Sequence, residues 1–285
     1  MINRRQRRRW EQAFFKGLMR LTLFIVLGML GLIVFTVVRN PFRTINLAML
    51  TQTSKGGYYL GGEGGILNAI AGSLYLAAGA TQLALVAGLP VVFYLHAYMG
   101  RSRLADGVRV VFDVLWGIPS IVYGAFGFTL MLMMGMRASL LGGILTLALV
   151  ELPILVRTMD EVMRLVPREL TEATYAMGAT RLELAGILLR QTVPGLVTAI
   201  LLAFGRGIGD AAAVLFTAGY TDNMPQSLSR PVASLPLAIF FQLSSPFESV
   251  QERAYASALV LTALVLLISL LTRLSLRVMG KHVIH

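Results

Sequence analysis

Between residues 66 and 100 the chain contains no aspartate, glutamate, lysine or arginine. A bilayer core is crossed by about 20 helical residues, so this run is long enough to span one with length to spare. The helix must tilt or project beyond the membrane, and Pro90 is a position where it can kink. Five more apolar runs lie at about 18–38, 107–136, 139–156, 195–220 and 254–272. The chain is 56% hydrophobic and 14% charged, whereas a soluble domain carries roughly 25% charge. The expected fold is an all-α, polytopic membrane protein with six transmembrane helices.

The formal net charge is +11. In a soluble protein that value points to nucleic acid. In a membrane protein it reads as topology, because cytoplasmic loops collect lysine and arginine. The basic residues concentrate in the arm at 1–17, at Arg101 and Arg103, in a polar island at 157–191 and in the tail at 276–285. The opposite loops hold only scattered ones, Arg39, Arg43, Lys55, Arg137, Arg230 and Arg253. Six spans with this asymmetry place both termini and the island in the cytoplasm and the 40–65 loop outside. Within that loop GGYYLGGEGG, residues 56–65, reads as a surface segment. The core then runs from 66 to 275.

Several chemistries are poorly supplied. There is no cysteine, and the three histidines are His96, His282 and His285, so no thiol chemistry and no metal site is expected. An intramembrane enzyme would need a nucleophile, a base or a metal cluster at depth, and His96 alone is a thin inventory. Met131, Met133, Met134 and Met136 read as adaptable packing. The string G-x-x-x-x-G-K-[ST] does not occur, so the chain has no loop of that kind to cradle nucleotide phosphates.

The polar island is the least membrane-like part of the core. Pro167 suits a first helical position and Gly178 the left-handed residue just past a helix end. Glu169 and Glu172 lie near the positive end of the helix between them. Thr180-Arg181-Leu182-Glu183 fits a capping box for a second helix reaching about Leu189. The pattern is helix, glycine turn, helix. A DNA-reading motif has the same outline, but this one is tethered at both ends by membrane spans. A structural hairpin lying on the membrane surface is the plainer alternative.

Glu172-Ala173-Thr174 followed by Gly178 resembles the EAA-x3-G signature of permease subunits of ATP-binding-cassette importers. The blocks GIPSIVYGAFG (117–127), LPILVRTMDEVMRLVP (152–167), ATYAMGAT and VPGLVTAILLAFGRGIGDAAAVLFTAG (193–219) are similar to the phosphate-importing branch of that family. Together they cover about residues 66–275. Two departures stand out: Thr174 replaces an alanine, and Arg190 stands where a proline is expected, in ILLRQTVPG. The resemblance implies cytoplasmic coupling helices at about 160–191, with Glu172, Ala173 and Gly178 as the contact to a separate ATPase dimer. It also implies a homologous second permease, an extracytoplasmic phosphate-binding protein, a bacterial inner-membrane location, and no cofactor or nucleic-acid partner. Translocation of inorganic phosphate by alternating access is the implied function, with another oxyanion or small solute as the alternative.

Charges inside the apolar runs are the candidate transport residues. Arg206 falls near the middle of the fifth run, with Asp210 four residues on and on the same helical face. An arginine at that depth costs about 2.5–3.5 kcal/mol on insertion scales and should face protein or water. Two roles fit. The pair can neutralise itself, or Arg206 can offer a positive stage to a crossing anion while Asp210 tempers the attraction. Gly205 and Gly209 form a G-x-x-x-G pair that would permit close helix approach. Glu151 is a further partner for Arg206. Arg157 matches the family's L-P-x-x-x-R block and is a candidate for the anion's exit, or a simple topology charge. In WGIPSIVYG, Pro119 breaks a helix, and Ser120 and Tyr123 could hydrogen-bond an anion or serve packing.

Overall fold

A computed structural model describes residues 4–39, 45–54, 64–100 and 102–279. Most of the glycine-rich stretch at 56–65, Arg101 and the last residues of the tail lie outside these ranges. The described chain is helical, and no strand occurs in it. The elements are α1 (Arg4–Arg39), α2 (Leu47–Thr51), α3 (Leu67–Tyr94), α4 (Arg103–Trp116), α5 (Ser120–Met133), α6 (Leu140–Arg164), α7 (Arg168–Ala176), α8 (Arg181–Ile208), α9 (Leu235–Leu243) and α10 (Glu248–Met279). A π-helical turn, Leu95–Met99, extends α3.

Five helices, α1, α3, α6, α8 and α10, are each long and apolar enough to cross a membrane. The sixth expected span, at 107–136, is not a single helix. It divides into α4 and α5, which meet at 95°. The cause is Pro119, whose backbone sits at φ −57°, ψ 137°. A proline disfavours helical geometry in the residue before it and supplies no N–H of its own, so α4 stops at Trp116 and α5 starts afresh at Ser120. The Tyr123 hydroxyl donates to the Leu115 carbonyl at 2.9 Å and fastens the corner.

Three more boundaries differ from expectation. The fourth span continues beyond 156 to Arg164. The second helix of the island does not end near Leu189 but runs on through Pro194 as α8. The fifth span does not reach 220, because α8 ends at Ile208 and Gly209. Beyond it the Asp210 carboxylate accepts the Ala213 N–H at 2.9 Å and opens a set of turns. The proline-rich segment after 220 also hides α9. Its Pro236 falls in the first turn, where the missing N–H needs no partner. The basic arm is no separate segment, since α1 is helical from Arg4.

The core lies between α3 and α6. Leu76, Ala80 and Ala84 of α3 pack with Leu147, Ala148 and Val150 of α6 and with Ala213, Val214 and Ala218 of the turns after α8. Lipid gives apolar helices no reason to exclude each other's surfaces, so close packing through small residues holds them. A second cluster joins Leu155, Val156 and Met159 of α6 to Leu196, Ala199 and Ala203 of α8. Against this bundle α1 is exposed along its whole apolar length and touches α10.

Candidate functional site: a coupling turn, a lever and a charged end

The island folds as its capping residues dictate. Pro167 stands just before α7, one position earlier than expected. Gly178 adopts φ +80°, and its N–H donates to the Tyr175 carbonyl at 2.9 Å. A Cβ at Gly178 would meet nothing within 4 Å, so the backbone angle, not space, selects glycine. The capping box is complete: Glu183 accepts the Thr180 N–H at 2.7 Å and the Thr180 hydroxyl at 2.8 Å, and Thr180 accepts the Glu183 N–H at 3.3 Å. Glu172 and Ala173 are exposed. Thr174, the departure from the family's alanine, is buried and donates its hydroxyl to the Leu170 carbonyl at 2.7 Å. It therefore satisfies itself inside α7 and leaves the outer face unchanged.

Large apolar side chains stand bare around this turn. Leu165, Met177 and Leu182 are each more than three-quarters exposed. Met177, Gly178, Glu183, Ile187 and Arg190 line a groove of about 520 Å³ beside them. This places Arg190 next to the Gly178 turn.

α8 joins that turn to the charged end of the bundle. It is a single helix of 28 residues, about 42 Å long at 1.5 Å per residue. Arg206 lies in its last turn. The Arg206 side chain is 56% exposed and that of Asp210 6%, with Arg206 Nη2 4.0 Å from Asp210 Oδ2. They are neighbours at the helix end, although Asp210 itself lies past the last helical residue. The G-x-x-x-G expectation is displaced. Gly205 comes only to 3.4 Å from Ile268, Gly209 meets only its own helix's backbone, and the tight approach falls on Gly207.

Glu151 does not pair with Arg206. It is fully buried, accepts the Thr81 hydroxyl at 2.7 Å on Oε2, and has no hydrogen-bond partner on Oε1. That oxygen occupies the place where a Cβ of residue 207 would sit. Arg157 is likewise engaged away from Arg206. Its Nε lies 3.2 Å from Asp113 of α4 and 3.3 Å from Glu161. Asp113 is half-exposed.

One cluster escapes any reading of the sequence. Asp160 of α6 is buried, and bases from three elements converge on it. His96 donates Nε2–H at 2.9 Å from the π-helical turn. Arg109 donates Nε–H at 3.1 Å from α4, and Arg164 donates Nε–H at 2.9 Å from α6 itself. Arg157 Nη1 stands 4.0 Å away. These partners lie 51 and 64 residues from Asp160 in sequence for Arg109 and His96. The local signals are Arg157 at i−3 and Arg164 at i+4. No group of histidines and carboxylates fit for a metal occurs among the described residues.

These features describe a membrane subunit with an exposed glycine turn linked by one helix to a charged end. A family model described as "Binding-protein-dependent transport system inner membrane component" matches residues 84–285, and the chain belongs to that family. It is 35% identical to the phosphate transport system permease protein PstA of Yersinia pestis, over 96% of this chain and 93% of the relative. It is 40% identical to the PstA of Xylella fastidiosa strain Temecula1, over 73% of each chain. With PstA 1 of Mycobacterium tuberculosis strain H37Rv it shares 37% identity, over 73% of this chain and 68% of the relative. Among solved structures it resembles an inward-facing MetNI methionine ABC transporter, with a TM-score of 0.61, 20% identity, and coverage of 75% of this chain and 95% of the other. At that identity the likeness speaks for the fold.

Proposed function

We propose that this chain is the permease through which an ATP-binding-cassette importer passes inorganic phosphate across the bacterial inner membrane. The observation that carries the reading is the continuity of α8. The helix that begins at the Thr180 capping box is the helix that ends at Arg206. An ATPase dimer seated on α7, Gly178 and the first turn of α8 moves Arg206 without any intervening joint. The bare Leu165, Met177 and Leu182 side chains beside Glu172 and Ala173 are the apolar complement such a docking needs.

Arg206 is then the anion's stage. Its guanidinium is mostly exposed and held only loosely by Asp210 at 4.0 Å, so its hydrogen-bond donors remain available to an oxyanion. Asp210 keeps the site from holding the anion too tightly and also caps the turn that follows. Arg157 belongs to a brace between α4 and α6 and acts on the anion, if at all, only after that brace opens. The cycle is alternating access: an extracytoplasmic phosphate-binding protein delivers the anion, and ATPase closure tilts α8 and redirects the chamber. A homologous second permease completes the chamber wall. α7 and both termini lie on the cytoplasmic side.

The test is uptake of labelled phosphate into vesicles holding the full complex, with sulfate and molybdate as competitors. Phosphate uptake resistant to both is the expected result. Uptake that sulfate or molybdate displaces at equal concentration assigns the chain to another oxyanion.

A further inference from the structure

A cavity of about 700 Å³ lies beneath the root of α7. Its volume falls in the range of small-molecule sites, about 300–1,000 Å³. His96, Arg109, Arg164, Arg168 and Thr171 line it from the π-helical turn, α4, the end of α6 and the start of α7, and Asp106 is the one acid on its described wall. Buried Asp160 sits behind the wall and organises it. Asp160 takes Nε–H from both Arg109 and Arg164, and Asp106 takes Arg109 Nη1 at 3.1 Å. No hydrogen bond among the described residues occupies the Nη groups of Arg164 or any part of the Arg168 guanidinium. The Thr171 hydroxyl has no partner either.

We propose that this cavity binds a phosphate group, either free inorganic phosphate or the headgroup of an anionic phospholipid. Three features select that chemistry. Forked guanidinium donors from α4, α6 and α7 match the oxygens of a tetrahedral anion. The first turn of α7 adds the positive end of a helix. Arg109, Arg164 and Arg168 outnumber the two carboxylates beside them, Asp106 on the wall and Asp160 behind it, so the cavity carries a surplus of positive charge. A bound phosphate group would tie α7, through Arg168 and Thr171, to α4 and α6, through Arg109 and Arg164. Only Thr174 of α7 is otherwise buried, so the ligand would set how firmly the coupling helix is held to the bundle. This effect on coupling rests on the role proposed above for α7; the binding itself does not.

The experiment uses the full complex in nanodiscs of phosphatidylcholine, without nucleotide and without binding protein. Wild type, Arg164→Gln/Arg168→Gln and Arg164→Lys/Arg168→Lys are compared for equilibrium binding of labelled inorganic phosphate. In parallel, phosphatidylglycerol retained after exchange out of native membranes is quantified. The expected result is one class of bound phosphate, or one retained phosphatidylglycerol per copy of the chain, that weakens about tenfold in the double variant, as loss of charge-assisted hydrogen bonds would produce. Arg164→Lys/Arg168→Lys restores part of it. Loss of phosphate binding identifies the free anion, and loss of phosphatidylglycerol identifies the headgroup. If neither ligand differs between wild type and the double variant at normal complex yield, the proposal is overturned. Both faces of a nanodisc are open, so the measurement is independent of which side α7 occupies, and phosphate uptake tests the transport reading separately.

Discussion

Glu151 and Gly207 share one place: the carboxylate oxygen Oε1 of the first stands where the second would carry a Cβ. The contact joins α6 to the last turn of α8, next to Arg206. Thr81 of α3 holds the other oxygen at 2.7 Å, so three helices meet through one buried side chain. Gly207→Ala should therefore destabilise the complex by about 1–3 kcal/mol, the usual cost of overpacking. Thr81→Val, which leaves Glu151 without its one donor, should cost a similar ~1–3 kcal/mol. Thermal unfolding of the detergent-solubilised complex measures both. Gly207→Ala with unchanged stability would show that the helices part easily here.

Arg206→Gln should leave assembly intact and lower phosphate uptake at least tenfold. Its stability cost should stay below about 1 kcal/mol, because the guanidinium is more than half exposed and its contact with Asp210 is already 4.0 Å, a loose pair of the kind that contributes little. Co-purification with the ATPase and transport per complex are the paired readouts. Asp210→Ala should behave differently. It removes the acceptor of the Ala213 N–H and should cost about 1 kcal/mol as a lost cap, whereas Asp210→Asn keeps that acceptor.

Gly178→Val should uncouple ATP hydrolysis from uptake. The residue sits at φ +80°, where an L side chain costs roughly 1–2 kcal/mol and a β-branched one more. Gly178→Asn should retain more coupling, because asparagine tolerates that region. The ratio of ATP hydrolysed to phosphate imported decides. A normal ratio for the valine variant would remove the turn from the coupling path.

Asp160→Asn should be among the most damaging single changes, at about 3–5 kcal/mol, because it strips a buried charge from bases that remain. Arg157→Gln should cost much less. Its distance to Asp160 is 4.0 Å and its closer partners, Asp113 and Glu161, are half-exposed. Melting temperatures of the two variants in the same complex test the order.

The sequence carried its local signals well and its long-range ones poorly. The Thr180–Glu183 box and the Gly178 turn are each decided within one or two helical turns, and both appear in the structure as read. The corner between α4 and α5 is also local, since Pro119 is visible. Hydropathy averaged over a span cannot see it, however, because both arms of the corner are apolar. The length of α8 was obscured in the opposite way. The charges of 181–191 look like the border of a soluble segment, and Pro194 looks like a stop. Yet the helix continues past both, since the proline removes one backbone bond while its neighbours propagate the rest. The Asp160 cluster had only its same-helix bases, Arg157 and Arg164, as a signature, since His96 and Arg109 reach it only when α3, α4 and α6 are packed.

The exposure of α1 sets how this chain can vary. A helix that packs on α10, is exposed along its apolar length, and lies ahead of the segment the family model matches, is constrained by oiliness and length more than by shape. Relatives are free to rewrite it residue by residue, or to trade it for an unrelated anchor. The buried contacts at Thr81, Glu151, Asp160 and Gly207 allow no such drift.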